Sequence, residues 1–488
     1  MSTRDRLIVE ISYPPSGVLP TASGAGRDAV WLESQERATA GDRWSFLAWD
    51  PYRVLEWTPA GGWVSRRGES ARDLPSDPWR GLEAALAIER RASEGPPFGG
   101  GACGYFAYEL AATLEHLPAL AAHDPGIPLA RWALADVVYA LDHDAARAYA
   151  VSSGRPEIGA AAERRAHNRL EAARAWWNGA LRHETASPRA TSPPLGDEPP
   201  HRDGLEASLD RAAYGNRFAR LHDYLVAGHL YQANLTVSFE ARRELDPHAL
   251  FRALREDNPA PRAALLAGED FAVVSASPEM FLARRGSRLV TRPIKGTRRR
   301  GRTAAEDTAL AQELLASAKD RAEHVMIVDV HRNDLGRVAR FGSVRVEMPW
   351  ALESFATVHH LTSTIVADER DGFPPLEAVR ASFPAGSITG APKIRAMEVL
   401  ADLEPHARGV YTGAIGWIDD RGDFDLSVAI RTATLRGDRV TFPAGGGIVL
   451  DSDPDAEYQE AWDKARAMWA AVRRVRERAV RPTLAGSS

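Results

Sequence analysis

The chain has 488 residues, enough for a large buried core and for about two to four domains of ordinary size. Hydrophobic residues make up 44 % and charged residues 26 %, a balance typical of globular proteins. Because the net charge is −5, the chain lacks the basic excess of nucleic-acid-binding proteins; we expect no nucleic-acid partner, and a small anionic ligand fits better.

The first residues contain no apolar stretch long enough for a signal peptide or for a membrane-spanning helix of about 20 residues. We therefore expect a cytoplasmic protein without a membrane partner. The single cysteine, Cys103, excludes an intrachain disulfide and a cysteine-based zinc cluster. Glycines flank it, as in some nucleophile motifs, but a small buried cysteine is the commoner role.

Residues 1–155 alternate short β-rich runs with Gly/Pro turns, and one helical stretch follows Pro78. This pattern predicts an N-terminal α+β region. Residues 160–183 have an alanine-rich helical pattern, and 185–201 are rich in proline, serine and charge, which predicts an exposed linker. We therefore assign the helix and linker to one segment, 156–205.

The rest of the chain is predicted to form a catalytic domain over 206–478 and a flexible tail over 479–488. Thr303 and Glu306 form a capping box, so one long helix is expected from there to about Arg332. A helix is expected over 211–228 and a last helix from 454. The other predicted elements are strands: 230–238, a pair at 271–275 and 280–284, and one sheet from 410–418, 425–435 and 439–442.

Lys295 is the first candidate for catalysis. It lies between the β-branched Ile294 and a Gly296-Thr297 step, which would hold its amine at a rigid backbone turn. Burial there would lower the pKa of the amine and make it nucleophilic. The alternative is a solvated lysine at the start of a basic run, since several arginines follow before residue 303, and position alone favours this alternative.

Two acidic pairs could form a cation site. Glu457, Glu460 and Lys464 share one face of the last predicted helix, and Asp320 and Glu323 repeat the three-residue step on the earlier helix. Such pairs, facing each other across a cleft, suit Mg²⁺, which prefers oxygen ligands. The alternative is two solvated helix faces, with Glu460 and Lys464 as an i,i+4 ion pair.

Two further features could hold anionic groups. Three glycines at 445–447 follow a predicted strand and could let backbone N–H groups converge on a carboxylate or phosphate, although a tight turn explains them as well. Arg431 lies among apolar residues of a predicted central strand, where its guanidinium must be paired and suits a carboxylate. His359 and His360 are adjacent rather than four residues apart, so no zinc spacing is indicated.

Taken together, several segments resemble the chorismate-utilising enzymes. The resemblance covers nearly the whole chain and is densest from about residue 211 to 468. It implies an α+β fold with a large two-layer antiparallel sheet, helices outside, and the N-terminal region packed against it. The blocks include Tyr231-Gln232-Ala233-Asn234-Leu235-Thr236, Ser277-Pro278-Glu279-Met280-Phe281, Pro293-Ile294-Lys295-Gly296-Thr297, Lys319-Asp320-Arg321-Ala322-Glu323-His324, Ser387-Ile388-Thr389-Gly390-Ala391-Pro392-Lys393 and Glu457-Tyr458-Gln459-Glu460.

The resemblance also implies roles for single residues. Lys295 corresponds to a covalent nucleophile at C2 of chorismate, and Glu279 to a general acid or base at its C4 hydroxyl. Magnesium is expected on Glu323 and Glu460, with Asp320 and Glu457 in a nearby or water-bridged position. Substrate contacts are expected from Gly296, Thr297, His360, Tyr411, Arg431, Gly445, Gly446, Gly447 and Lys464.

Two positions separate the branches of this family. Anthranilate synthases carry a small residue at the place of Lys295, and isochorismate and salicylate synthases carry a lysine base at the place of Gln232. The pairing in this chain resembles the aminodeoxychorismate synthase large subunits, which aminate C4 in the para-aminobenzoate and folate branch. Anthranilate synthase component I and a catalytically silent binding subunit are the alternatives.

The resemblance further implies a partner and a possible effector pocket. Ammonia is expected from a separate glutamine amidotransferase subunit, because Cys103 is the only thiol of this chain. Arg262 stands where an aromatic residue is expected beside a tryptophan pocket, and Trp31 stands where a leucine is common. The pocket is therefore expected to be empty or filled by the chain's own side chains. Its candidate residues are Ser34, Arg43, Trp44, Ser45, Phe46 and Pro261.

Overall fold

The computed structural model describes residues 6–15, 28–35, 42–67, 70–89, 95–118, 120–183, 204–356 and 358–480. The predicted linker at 185–201 and residues 481–488 of the predicted tail lie outside this range. The helices are α1 (Pro78–Leu86), α2 (Gly159–His183), α3 (Arg211–Val226), α4 (Pro247–Asp257), α5 (Ala304–Ala316), α6 (Ala318–Gly336), α7 (Glu377–Ser382), α8 (Lys393–Leu403) and α9 (Pro454–Val480). The strands are β1 (Leu7–Ile11), β2 (Val30–Glu33), β3 (Trp44–Trp49), β4 (Arg53–Trp57), β5 (Trp63–Arg67), β6 (Gly101–Phe106), β7 (Ala130–Ala135), β8 (Val137–Asp142), β9 (Arg147–Ser152), β10 (Leu205–Ala207), β11 (Gln232–Arg242), β12 (Arg262–Ala267), β13 (Ala272–Ser277), β14 (Met280–Arg285), β15 (Arg288–Arg292), β16 (Ile294–Arg299), β17 (Arg345–Ser354), β18 (Val358–Asp368), β19 (Gly390–Ala391), β20 (Ala414–Asp419), β21 (Phe424–Val428), β22 (Thr432–Arg436) and β23 (Arg439–Ile448).

The strands of the described residues form two antiparallel sheets. Sheet A has 12 strands in the order β1-β9-β8-β3-β2-β12-β13-β22-β23-β11-β10, with β19 beside β11. Sheet B has 11 strands in the order β16-β18-β15-β14-β21-β20-β6-β7-β4-β5, with β17 beside β18. Strands from the N-terminal residues hydrogen-bond directly to later strands, as β2 does to β12 and β6 to β20. The predicted boundaries at residues 155 and 205 concern domain organisation and stay predictions.

The two sheets pack face to face with helices outside. Buried residues of sheet A, such as Val30 and Phe46, join Cys103, Tyr105 and Trp417 of sheet B in one apolar cluster between the sheets. A second cluster joins the outer face of sheet A to α2, α3, α4, α8 and α9, and a third joins sheet B to α1, α6 and α7. The architecture confirms the predicted α+β class. Among the described residues, no helix combines the length and apolarity needed to cross a membrane.

The predicted long helix from residue 303 to 332 is in fact two helices. The Thr303 cap is confirmed, because its side chain accepts the backbone N–H of Glu306. However, α5 ends at Ala316, since Ser317 has an extended ψ of 110°. Its hydroxyl accepts the backbone N–H of Asp320 at 3.2 Å and so starts α6. The break places Asp320 in the first turn of a new helix.

Two expectations about strand pairing were wrong. The strands on either side of Pro278 are not a pair, because β13 belongs to sheet A and β14 to sheet B. Likewise, the three segments between 410 and 442 do not share one sheet: β20 and β21 belong to sheet B, and β22 and β23 to sheet A. The chain crosses between the sheets just before β22, where Arg431 has a φ of 51°. Both crossings lie beside the cavity described next.

Candidate active site

A cavity of about 1400 Å³ lies between the sheets. It is lined by residues of β11 and β23 from sheet A, of β16 and β18 from sheet B, and of α6 and α9. The structure brings almost all of the candidate catalytic, substrate-binding and metal-binding residues to this one cavity. Its lining includes Glu279, Lys295, Gly296, Thr297, Asp320, Glu323, His360, Tyr411, Arg431, Gly445, Gly447, Glu457, Glu460 and Lys464.

Lys295 lies on a strand rather than in the expected turn. It is the second residue of β16, whose register against β18 is irregular between Ile294 and Thr297. Gly296, inside this bulge, has a φ of 82°, a backbone conformation that glycine adopts readily. The bulge re-aims the Lys295 side chain into the cavity, where its amine forms no hydrogen bond or ion pair with any described residue.

Burial lowers the pKa of the Lys295 amine from its ordinary value. Nearby Lys464 acts in the same direction, whereas Glu323 and Glu279 oppose it without reversing it. A lowered pKa raises the fraction of neutral amine, which is the nucleophilic form. The side chain therefore has the environment of a reactive lysine.

The arginines after Lys295 pair with acidic residues, although their side chains stay partly exposed. Arg298 pairs with Glu313 at 2.7 Å and with Asp320 at 3.0 Å. Arg299 and Arg300 likewise pair with acidic residues of α5, so the basic run fastens that helix to β16. Lys295, by contrast, lines the cavity without an acidic ion-pair partner among the described residues. The alternative of a solvated lysine is wrong.

Glu279 lies in the short connection that carries the chain from β13 to β14. Its side chain is buried, with 3 % of the residue exposed, and its Oε1 has no hydrogen-bond partner among the described residues. Burial raises the pKa of this carboxyl to about 7. Ser387 and Lys295 favour the charged form but only partly offset burial; Ser387 lies beside the carboxyl without an ideal hydrogen-bond geometry. A carboxyl poised near neutral pH is suited to proton transfer.

The three glycines form part of a strand rather than a loop. Gly445, Gly446 and Gly447 lie in β23, where they pair with Thr236, Leu235 and Asn234 of β11. A Cβ on Gly447 would come within 2.7 Å of Gln232 Nε2 and 3.0 Å of Lys295 Nζ. A Cβ on Gly446 would meet Glu457 Oε2 at 2.8 Å. Gly446 and Gly447 are therefore required by the close approach of polar side chains to the backbone, and Gly445 by the close approach of the β11 backbone at Leu235.

The two acidic pairs occur on opposite helices of the cavity, as predicted. The i,i+4 ion pair of the alternative interpretation is also present, because Lys464 Nζ lies 2.6 Å from Glu460 Oε1. Burial opposes ionisation of Glu460, but Lys464 and Lys295 outweigh it and lower the pKa of that carboxyl. Burial raises the pKa of Glu323 and of Glu457, and Glu460 adds to both effects.

These carboxylates fit a divalent cation that is only partly held by protein. No group of three or more His, Cys, Asp or Glu side chains among the described residues is close enough to hold a metal alone. Mg²⁺ ordinarily takes one or two carboxylates and completes its shell with waters and substrate oxygens. Burial is the main cause of the raised pKa values of Glu323 and Glu457, and such a cation would relieve the repulsion from Glu460 that adds to it.

The groups expected to hold carboxylates lie along the same cavity. Nη1 of Arg431 donates to the backbone carbonyl of Lys464 at 2.5 Å, and no carboxylate of the described residues pairs with its guanidinium. Burial raises the pKa of the Tyr411 phenol, which stays a hydrogen-bond donor. His360 Nδ1 lies 2.9 Å from Thr297 Oγ1, and burial together with Arg431 lowers its pKa to about 4. The cavity therefore contains cationic and uncharged hydrogen-bond donors, which are suited to binding an anion.

Two residues of this cavity were not singled out from the sequence. Asn234 and Ser387 both line it, and each is 6 % exposed. The signal for Asn234 was available in the alternation along β11, where Gln232, Asn234 and Thr236 interrupt a series of apolar core residues. Nothing comparable marks Ser387, which lies in a short 3₁₀ turn over Gly386–Ile388.

The candidate tryptophan pocket is a second, much smaller cavity of about 60 Å³. Trp44, Phe46 and Pro261 line it, together with Leu32. Arg262 also lines it and pairs with Asp425 and, at 3.3 Å, with Asp42. Trp31 points to the opposite face of sheet A, into the core, because successive strand residues alternate. The remaining candidates lie beside the cavity in hydrogen bonds: Ser34 with Ser45, and Arg43 with Asp142.

Cys103 is fully buried in β6, and burial raises the pKa of its thiol well above the ordinary value. Such a thiol is neutral and inaccessible, which agrees with a structural role.

Comparison with known proteins places this site in a family. Residues 28–470 match the chorismate binding enzyme family. The chain belongs to the chorismate-binding enzymes. It is 40 % identical to anthranilate synthase component 1 of Thermus thermophilus over 81 % of this chain and 82 % of that protein. It is 38 % identical to aminodeoxychorismate synthase component 1 of Escherichia coli over 82 % of this chain and 84 % of that protein.

A solved structure has the same fold. Anthranilate synthase component I from Streptococcus pneumoniae superposes with a TM-score of 0.74 and 30 % identity, covering 87 % of this chain and 92 % of that one. Chorismate-binding enzymes with two different names are thus similarly related to this chain. The choice between their reactions depends on the residues of the cavity.

Proposed function

We propose that this chorismate-binding enzyme converts chorismate and ammonia to 4-amino-4-deoxychorismate as the synthase subunit of an aminodeoxychorismate synthase. The observation that carries the proposal is the lysine of the cavity. Lys295 directs an unpaired amine of lowered pKa into the same buried space as Glu279, whose pKa is about 7. Direct attack by ammonia at C2, as in anthranilate synthesis, needs no such amine.

Lys295 and Glu279 are suited to the two ends of one displacement reaction, the attack at C2 and the departure of the C4 hydroxyl. The neutral amine of Lys295 attacks C2 of the ring, the diene shifts, and the C4 hydroxyl leaves as water after protonation by Glu279. Ammonia then attacks C4, the diene shifts back, and the Lys295 amine leaves from C2. The sum is chorismate plus ammonia giving aminodeoxychorismate plus water, with the enolpyruvyl group retained.

Cationic and neutral donors of the cavity would orient the two substrate carboxylates. Arg431 and Lys464 supply positive charge, and Tyr411 and His360 supply uncharged hydrogen-bonding groups. Fixing both carboxylates sets the ring between Lys295 and Glu279, and such positioning accounts for much of the rate enhancement in reactions of bound substrates. Residues Gly296 and Thr297 hold the bulge that aims the lysine.

Glu323 and Glu460 would hold Mg²⁺, with Asp320 and Glu457 close by. Bound there, Mg²⁺ would neutralise a substrate carboxylate and reduce the repulsion among the acidic residues. This arrangement explains why four acidic side chains line a cavity that accepts a dianion.

Gln232 faces the same space as Lys295, since a Cβ added to Gly447 would meet the ends of both side chains. Its amide carries no charge and cannot act as a general base toward water. This favours ammonia over water as the nucleophile. We infer that a glutamine amidotransferase subunit delivers the ammonia, and that the product supplies para-aminobenzoate and folate synthesis.

Anthranilate synthase component I is the second candidate, favoured by the 40 % identity to the Thermus thermophilus protein. A product assay separates the two. Purified protein with chorismate, Mg²⁺ and ammonium is expected to form aminodeoxychorismate, detected by mass spectrometry, without release of pyruvate. Formation of anthranilate with stoichiometric pyruvate would contradict the proposal and establish the second candidate.

A further inference from the structure

We propose that Asn234 is a further substrate-binding residue, whose side-chain amide donates a hydrogen bond to an uncharged ring oxygen of the substrate. The inference rests on the proposed function and extends it to a position without an assigned role. It starts from an amide that the protein leaves unsatisfied at the wall of the active-site cavity.

Asn234 is 6 % exposed and lines the cavity, yet its Nδ2 forms no hydrogen bond of regular geometry with the described residues, and Tyr411 is the group beside it. An unsatisfied buried polar group ordinarily destabilises a protein. Where such a group lines a cavity, a bound ligand can satisfy it. The amide is directed toward the space that the substrate would fill, and not toward the core, because Ala233 and Leu235 occupy the core face of β11.

Two hydrogen bonds fix the backbone of Asn234 in place. Its N–H donates to the carbonyl of Thr389 at 2.9 Å, and its carbonyl accepts Nη2 of Arg408 at 2.6 Å. Arg408 is itself buried, pairs with Glu404 at 2.7 Å, and lies 4.6 Å from the ring centroid of Tyr108. These hydrogen bonds fix the backbone of Asn234, so its side chain extends into the cavity from a rigid position, which favours ligand binding.

The position of Asn234 indicates which part of the substrate it contacts. Tyr411 lies close to its amide, near enough to influence the phenol, although not in ideal hydrogen-bond geometry. Glu279 and Ser387 line the same cavity. Charged groups elsewhere are available for the carboxylates, and a neutral amide donor is suited to a hydroxyl or ether oxygen. Asn234 therefore recognises an oxygen substituent of the ring rather than a carboxylate.

Steady-state kinetics of Asn234→Leu, with chorismate and ammonium varied separately, test the assignment. Leucine keeps the volume but removes the donor. We expect kcat/KM for chorismate to fall about 10- to 100-fold, while KM for ammonium and the melting temperature stay close to wild type. Asn234→Ser, which restores a smaller donor, should recover part of the loss.

Thr236→Val is the matched control. Thr236 lies two residues further on the same face of β11 and is 7 % exposed, and its hydroxyl also lacks a hydrogen-bond partner. It does not line the cavity. Its substitution should leave kcat/KM for chorismate within about twofold of wild type.

Two outcomes would overturn the assignment. One is an Asn234→Leu enzyme with kcat/KM for chorismate within twofold of wild type. The other is a loss shared equally by chorismate and ammonium kinetics together with a lowered melting temperature, which would indicate a structural role. Calorimetric titration of wild type and Asn234→Leu with chorismate keeps the test separate from the proposed function, because it needs no turnover. Weaker chorismate binding by the variant supports the assignment even if the reaction proves to be another one.

Discussion

At the scale of single residues, the cavity contains ionisable groups whose burial favours their neutral forms. Glu279 is favoured in its neutral form and Lys295 is shifted toward its neutral form, although the two are opposite in sign and share one space. Both shifts have desolvation as their largest cause. The protein gives up stability to keep these groups reactive, as functional sites commonly do.

The first prediction concerns the stability that Glu279 costs. Its folded-state pKa is raised from 4.5 to about 7, so the native state is favoured at low pH and this contribution is lost as the pH rises through about 7. At about 1.4 kcal/mol per pH unit the difference amounts to about 3 kcal/mol. Glu279→Gln should therefore unfold at a higher denaturant concentration than wild type at pH 8 and nearly the same concentration at pH 4.5.

The control for this prediction is Glu171→Gln, an exposed glutamate on α2, which should change the unfolding midpoint little at either pH. A Glu279→Gln protein no more stable than wild type at pH 8 would show that burial does not disfavour the carboxylate.

The second prediction concerns the pH dependence of the reaction. As general acid Glu279 must be protonated, and as nucleophile Lys295 must be neutral, so kcat/KM for chorismate should rise with pH, reach a maximum and then fall on the alkaline side, where Glu279 is deprotonated. The assay has to hold the concentration of free ammonia constant, since ammonia itself gains concentration with pH. A wild-type profile without a decline on its alkaline side, or a Glu279→Gln enzyme that keeps that decline, would argue against Glu279 as the acid.

At the scale of secondary-structure elements, β23 of sheet A and β16 of sheet B approach each other through Gly447 and the side chain of Lys295. Gly447 of β23 leaves the space that the ends of Gln232 and Lys295 approach, and the bulge at Gly296 of β16 directs the lysine there. A glycine in a strand interior ordinarily weakens the strand, so its presence here marks a close approach.

The third prediction is that Gly447→Ala impairs catalysis while leaving the fold intact. The new Cβ would come within 2.7 Å of Gln232 Nε2 and 3.0 Å of Lys295 Nζ, and both side chains can move aside. Misplacement of about 1 Å can cost about 100-fold in rate. We expect kcat to fall at least tenfold with little change in melting temperature.

Gly215→Ala is its counterpart, because that glycine lies in α3 with no atom within 4 Å of an added Cβ. It should keep full activity and gain up to about 1 kcal/mol of stability. Equal activity of Gly447→Ala and wild type would mean that the Lys295 amine acts elsewhere in the cavity.

The elements themselves were largely predictable from local sequence, and their pairing was not. Helical periodicity and capping residues predicted α2, α3 and the start of α5, because these signals lie within one or two turns. The separation of β13 from β14, and of β21 from β22, depends on partners far away in sequence. Likewise Lys295, Glu279 and Glu323 could be proposed as a group only through the family resemblance, since no spacing brings them together.

At the scale of the whole molecule, the N-terminal and C-terminal parts of the chain are joined in both sheets. A buried ionic cluster strengthens this connection just before β1. Arg6 pairs with Asp419 at 3.0 Å and with Asp420, residues more than 400 positions away. Arg421 also pairs with Asp419 at 2.7 Å. The cluster fastens the first described strand of sheet A to the end of β20 in sheet B.

The fourth prediction is that Arg6→Met lowers the free energy of unfolding by about 3 kcal/mol, because Asp419 and Asp420 would stay buried with less compensation. Denaturant unfolding measures this change. Arg147→Met removes an exposed pair with Glu10 of β1 and should change the free energy of unfolding far less. Similar losses in the two variants would show that the buried cluster contributes no more than a surface ion pair.

The measurement that tests the central claim most directly is the rate of aminodeoxychorismate formation by Lys295→Ala with chorismate, Mg²⁺ and saturating ammonium. If the lysine forms a covalent adduct at C2, the rate should fall about a thousandfold or more, while chorismate still binds and the melting temperature stays near that of wild type. Near-normal formation of aminodeoxychorismate by Lys295→Ala would contradict the covalent role of Lys295.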